Sequence, residues 1–257
     1  MTKIPRRVML TGLACAPFAT HFPIAVKSAQ VQTDLEPVSL TISGGRTVSG
    51  VVAAPDVVPA PGLLLLHGSS GLNDMYKAFV PAFARDGFFA AALDLFGGQT
   101  ATDDSIRALL RSEVRSDTAK ADETIATWLH WLKADSRCNG KIGVVGWSFG
   151  AEWALEASMQ TPVDATVVYV GLTYSGADRL RSLRGPVMVH LGERDPDVSE
   201  GDLARFERAM AEAGKSVEAY WYPNDHYFPF STFPTYDKKQ ADLAWGRTVE
   251  FLNLHLR

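Results

Sequence analysis

Gly140-Lys141-Ile142-Gly143-Val144-Val145-Gly146-Trp147-Ser148-Phe149-Gly150 reads as an apolar strand that closes in Gly-x-Ser-x-Gly and runs on into a helix. A serine on so sharp a strand-to-helix turn needs glycine on both sides, because a Cβ there would collide with the neighbouring strand and helix. Val144 and Val145 suit a central parallel strand covered on both faces. Residues 151–160, Ala-Glu-Trp-Ala-Leu-Glu-Ala-Ser-Met-Gln, are mostly good helix formers and supply the helix that must follow. Ser148 is therefore a candidate nucleophile, against the blander reading of a surface serine in a glycine-rich turn.

Working outward, short apolar runs alternate with amphipathic stretches, the pattern of β-α-β units and a mainly parallel sheet. Residues 36–53 read as an opening antiparallel hairpin around Gly44-Gly45, and 62–67 as a buried strand breaking into Gly68-Ser69-Ser70-Gly71. Residues 75–85 read as one helix and 88–95 as a strand; 97–105 reads as a loop, and no element is assigned to 106–116. Asp117–Ala134 is the clearest helix, with Ala121, Ile125, Trp128, Leu129 and Leu132 on one stripe. Strands at 165–171, 186–191 and 217–222, and helices at 199–213 and 237–255, complete an α/β chain with helices on both faces of the sheet.

The 257 residues, 46% hydrophobic and 21% charged, can bury one sizeable core. A net charge of −4 without a Lys/Arg cluster beyond the N-terminus points away from nucleic acid and from a polybasic membrane contact, and towards a small-molecule ligand. Lys3, Arg6 and Arg7 precede the apolar stretch Val8–Ala19, the layout of an export signal too short to span a bilayer. Arg6-Arg7 resembles a twin-arginine signal and Leu13-Ala14-Cys15 loosely resembles an acylation box, with a locally helical tail on a cytoplasmic protein as the alternative. Residues 1–29 are thus read as an export signal directing the chain to the periplasm, and 30–257 as one domain. Without Cys15, Cys138 is the one remaining thiol, so no intramolecular disulfide forms. The six histidines are scattered and form no ligand motif, so neither a metal nor another cofactor is expected. Oligomeric state is not encoded in any of these patterns.

A serine hydroxyl needs a base to take its proton, and the base needs an acceptor that fixes its tautomer. In the three-layer hydrolase architecture, acid and histidine follow the serine in that order, each on a loop beyond a later strand. Val187–Leu191 runs into Gly192-Glu193-Arg194-Asp195, and Tyr220–Tyr222 into Pro223-Asn224-Asp225-His226. Asp197 is close enough to compete with Asp195, whereas Asp225 should diverge from its neighbour His226. His67, beside the glycine-rich loop, is read as structural, hydrogen-bonded to loop backbone.

Together, His67-Gly68-Ser69-Ser70-Gly71-Leu72-Asn73, Ala92-Leu93-Asp94-Leu95-Phe96, Gly146-Trp147-Ser148-Phe149-Gly150, Gly192-Glu193-Arg194-Asp195 and Asp225-His226-Tyr227-Phe228 resemble the dienelactone hydrolase family of α/β-hydrolases, over most of residues 38–255. The resemblance implies an α/β-hydrolase fold, with Ser148 as nucleophile, His226 as general base and acid and Asp195 as orienting carboxylate. It also implies an oxyanion hole from the backbone N–H groups of Phe149 and Ser69. Well-known members carry cysteine at the nucleophile and a glutamate where Gly68 stands; the two departures agree with each other and imply a Ser-His-Asp esterase. Arginines that hold the substrate carboxylate in such members correspond here to Gly98 and Phe230. A small, neutral, moderately apolar ester or lactone is therefore expected, because a desolvated anion needs a partner. Trp147, Phe149, Tyr227, Phe228 and Phe230 are the wall candidates. The rival readings are an acyltransferase, and a non-catalytic binding protein on the same fold.

Overall fold

The computed structural model describes residues 35–172 and 175–257; the export-signal reading of residues 1–29, with Cys15, lies outside them. The chain begins with the expected hairpin. Strands β1 (Glu36–Thr41) and β2 (Thr47–Ala53) pair antiparallel with Thr41 opposite Thr47, around a 3-10 turn at Ser43–Gly45 in which Gly44 takes φ 70°. Next comes β3 (Ala60–Leu66), buried at all seven positions, the mark of a strand covered on both faces.

Helices α1 (Asp74–Lys77) and α2 (Phe79–Arg85) replace the single helix expected over 75–85. Pro81 accounts for the break. In one continuous helix its ring would strike the carbonyl of Lys77, so the chain restarts at Phe79 and leaves Pro81 in a first turn, where no N–H is needed. After β4 (Phe89–Leu93), helix α3 (Asp104–Ser116) occupies residues to which the sequence assigned no element. Its N-terminus is capped by Asp103, which accepts from the Ile106 N–H at 3.0 Å, and Leu110 is its one buried residue. Helix α4 (Thr118–Ala134) buries the predicted stripe, and β5 (Cys138–Trp147) leads into α5 (Phe149–Gln160). There follow β6 (Ala165–Tyr169), a single-turn α6 (Ala177–Leu180), β7 (Val187–Gly192), α7 (Glu200–Ala213), β8 (Val217–Tyr222) and α8 (Lys238–Leu256).

The strands form one sheet in the order β1-β2-β4-β3-β5-β6-β7-β8, parallel from β4 to β8 and antiparallel at the β1 and β2 edge. Side-chain alternation splits β3 between two layers. Leu63 and Leu65 pack with Val80 and Phe83 of α2 and Leu252 of α8, whereas Leu64 and Leu66 pack with Ile125 and Trp128 of α4 and Ala154 of α5. Because β3 to β8 run in one direction, the loops that follow them meet at one sheet edge, which is where ligands bind in open α/β sheets.

A polar network crosses the α8 layer. His190 of β7 is fully buried, with Nδ1 2.8 Å from the Tyr222 hydroxyl and Nε2 2.9 Å from the Thr248 hydroxyl, while Arg247 stands beside Tyr222. Burial, helped by the Arg247 charge, pushes the His190 pKa down to about 3, so the imidazole is neutral in the native state. The unfolded chain takes up this proton near pH 6.5 and the folded chain does not until about pH 3, so stability falls as pH drops through that window. Urea titrations from pH 7 to 4 should show His190→Gln losing about 1.4 kcal/mol less per pH unit than wild type. Parallel pH dependences of the two proteins would contradict the neutral buried imidazole.

Candidate active site

Ser148 sits between β5 and α5 at φ 53°, ψ −116°, a conformation that non-glycine residues rarely adopt. The neighbouring glycines explain how it is held. A Cβ on Gly146 would collide with the Gly150 carbonyl, and one on Gly150 with the Leu66 carbonyl of β3, so turn and strand can approach only as glycine backbone. The Ser148 N–H donates to the Tyr169 carbonyl at 2.9 Å, tying the turn to β6.

Asp195 and His226 are brought in by two loops that pack on each other. A Cβ on Gly192 would lie 2.7 Å from the carbonyl oxygens of both Asn224 and Asp225, and the Arg194 N–H donates to the Asn224 carbonyl at 2.9 Å. This contact sets the acid loop against the histidine loop. Asp225 accepts from the Tyr227 N–H and the Thr235 hydroxyl, turned away from the imidazole as expected.

The three side chains meet. The His226 Nδ1–H donates to Asp195 Oδ2 at 2.8 Å, and the Ser148 hydroxyl donates to His226 Nε2 at 2.9 Å. The tautomer follows from the carboxylate, which can only accept. Asp195 Oδ1 is held in turn by the Asp197 N–H at 2.9 Å. Asp197 stands farther off: its carboxylate is 3.9 Å from His226 Nδ1 and 75% exposed, whereas that of Asp195 is buried. These same groups, Asp195, Asp197 and His226, are the one potential metal-ligand set among the described residues, and two of them already partner each other.

Facing Ser148 is the loop that follows β3. The Leu95 N–H donates to His67 Nε2 at 3.1 Å, so the proton is on Nδ1, which donates to the Gly68 carbonyl at 2.8 Å. Burial lowers the pKa of His67, partly opposed by the Gly68 carbonyl and the Asp94 charge. The Gly71 N–H holds the Gly68 carbonyl as well, at 3.2 Å. Since N–H and C=O of a trans peptide point opposite ways, the Ser69 N–H is turned away from these donors. His67 is thus structural, as expected. Gly68 itself has no room for a side chain, because the Tyr76 hydroxyl occupies the place of a Cβ.

Ser148 and His226 open into a cavity of roughly 150 Å³. Its lining is aromatic at Tyr76, Phe230 and the Tyr227–Phe233 pair, stacked at 4.3 Å, and cationic at Arg107 and Arg111 of α3. Two expected wall residues are elsewhere. Trp147 is buried, stacked on Phe79 at 4.6 Å, because strand alternation turns it with Val145 into the α2 and α8 layer. Phe228 is buried against Tyr222 at 4.8 Å beneath its loop. Phe149 lines a second, more open cleft of roughly 410 Å³ that Ser148 also borders, while Tyr227 and Phe230 line the first. Arg107 and Arg111 were missed with their helix; the capping Asp103 and the apolar pair Leu110 and Val114, four residues apart, were the available signal.

The dienelactone hydrolase family model matches residues 48–256. The chain belongs to the dienelactone hydrolase family. Carboxymethylenebutenolidase 1 of Cupriavidus pinatubonensis is 24% identical over 84% of this chain and 95% of its own length. Carboxymethylenebutenolidase of Pseudomonas putida is 23% identical over 84% and 95%. Among solved structures, dienelactone hydrolase from Anabaena variabilis superposes with a TM-score of 0.68 at 19% identity, covering 88% of this chain and all of that one. A cold-adapted esterase from an Arctic intertidal metagenomic library gives 0.66 at 19% identity, over 88% and 96%. The fold is the α/β-hydrolase fold, and membership of this family makes the chain a hydrolase of esters or lactones.

The crowding at Gly68 gives a prediction. Gly68→Ala should lower kcat/KM for an aryl ester, and adding Tyr76→Phe should restore part of it, with a coupling of about 1 kcal/mol in a double-mutant cycle. Strictly additive losses would show that the Tyr76 hydroxyl does not set the shape of this loop.

Proposed function

We propose that this chain hydrolyses small carboxylic esters or lactones with Ser148 as nucleophile, His226 as general base and acid, and Asp195 as the orienting carboxylate. The observation that carries the reading is the unbroken hydrogen-bond chain from the serine hydroxyl through the imidazole to a buried carboxylate, at 2.9 and 2.8 Å. His226 Nε2 takes the hydroxyl proton as Oγ bonds to the substrate carbonyl carbon, and Asp195 stabilises the imidazolium that forms. Collapse of the tetrahedral intermediate breaks the C–O bond to the leaving alcohol, which receives the proton from Nε2. Water, deprotonated by the same nitrogen, then attacks the acyl-serine and releases the acid.

Two donors are assigned to the developing oxyanion. The Phe149 N–H is the first of α5 and has no carbonyl of its own helix to meet, and the helix N-terminus adds partial positive charge. The Ser69 N–H is the second, with its peptide orientation held by His67 and the Gly71 N–H. A glutamate at position 68 is incompatible with the Tyr76 hydroxyl, in keeping with a serine rather than a thiol mechanism.

A fluorophosphonate probe should label the wild type and not Ser148→Ala. With an aryl ester, Asp195→Asn should lower kcat by about 10⁴-fold, as expected when the imidazole loses its tautomer, and Asp197→Asn by less than about tenfold. Equal losses in the two variants, or labelling that survives Ser148→Ala, would exclude these roles.

A further inference from the structure

Four rings of the smaller cavity beside Ser148 form one connected series. Tyr76 of α1 meets Phe230 edge to face at 5.7 Å, Phe230 lies 6.0 Å from Phe233, and Phe233 is stacked on Tyr227 at 4.3 Å. Tyr76 and Phe230 are buried, so the inner end of the series is held by packing, whereas Phe233 is half-buried and Tyr227 exposed. Arg107 and Arg111, both half-buried, line the same cavity.

Size and chemistry together select a ligand group. The cavity of roughly 150 Å³ equals the space, about 150 Å³, that accepts one benzene molecule in a protein interior. A saturated ring would fill it but offers nothing to guanidinium groups, whereas the negative face of a π-system attracts them and its edge suits neighbouring rings. An aryl ring is thus one neutral group that matches both kinds of lining. The open cleft of roughly 410 Å³ differs, with Phe149 as its one aromatic ring besides His226 among the described residues.

The order of the two chemical steps assigns the sides. The alcohol leaves first, with the proton from His226 Nε2, and water must then reach the acyl carbon from the side the alcohol vacated, because deacylation retraces the geometry of acylation. The open cleft lets the alcohol out and water in, while the smaller cavity retains the acyl group. We propose that the aromatic cavity is the acyl subsite and takes an aryl ring, so that the substrates are neutral esters of arylacetic and similar aromatic acids, with their alcohol in the open cleft. This deepens the hydrolase reading and rests on it.

The test follows two ester pairs in a pH-stat: ethyl phenylacetate against ethyl cyclohexylacetate, with the ring on the acyl side, and benzyl acetate against cyclohexylmethyl acetate, with the ring on the alcohol side. In wild type, kcat/KM for ethyl phenylacetate should exceed that for ethyl cyclohexylacetate at least about threefold, since one aromatic and one cation–π contact together carry this much. The preference should shrink in Phe233→Leu and persist in Tyr227→Phe, which keeps the ring. A smaller wild-type ratio, or one undiminished in Phe233→Leu, would overturn the aryl subsite and leave the serine mechanism intact. An equal or larger preference in the benzyl pair would overturn the assignment of sides. Binding is read without turnover by saturation-transfer NMR of 2-phenylacetamide with Ser148→Ala and Ser148→Ala/Phe233→Leu. A weaker signal in the double variant supports the subsite, and equal signals refute it. Absence of turnover of all four esters by wild type would defeat the hydrolase reading alone, with the NMR comparison still deciding the subsite.

Discussion

The alignment at the sheet edge depends on two places where backbones approach too closely for any side chain. At Gly150 the start of α5 lies on the Leu66 carbonyl of β3, and at Gly192 the acid loop lies on the carbonyls of the histidine loop. The first contact fixes the serine turn against the strand whose following loop supplies Ser69, so the proposed nucleophile and the proposed oxyanion donor share one rigid joint. The second fixes Asp195 relative to His226. Neither contact is strong in itself; both work by excluding alternatives, as close packing does throughout protein interiors.

Electrostatics around this frame divide by burial. His67 and His190 are each enclosed, and their hydrogen bonds suit neutral rings that organise backbone and core. His226 is the histidine that meets both a carboxylate and the serine hydroxyl. The same fold therefore uses one residue type for structure twice and, in the proposed mechanism, for proton transfer once, and the partners, not the residue, make the difference.

Much of this was legible in the sequence because it depends on local pattern. The serine turn needs glycines at fixed spacing, central strands need β-branched runs, and Asp195 and His226 each follow a readable strand. What failed to show depends on tertiary context. Helix α3 carries Ile106, Leu110 and Val114 at helical spacing, but its low overall hydrophobicity and single buried residue, Leu110, left it without an assignment, so its arginines went unseen and the cleft looked uncharged. Trp147 and Phe228 lie next to the serine and the histidine in the chain, yet alternation along β5 and the packing beneath the 223–237 loop send both into the core. The helix break before Pro81 was readable in principle, since a proline seven residues into a helix start calls for a restart.

The central claim is that a polarised serine faces two backbone donors. It is tested most directly by a crystal structure of the protein reacted with an alkyl boronic acid, which mimics the tetrahedral intermediate. The account predicts boron bonded to Ser148 Oγ, with one boronate oxygen about 3 Å from the N–H groups of both Phe149 and Ser69. An unmodified Ser148, or an adduct whose oxygen meets neither donor, would contradict it.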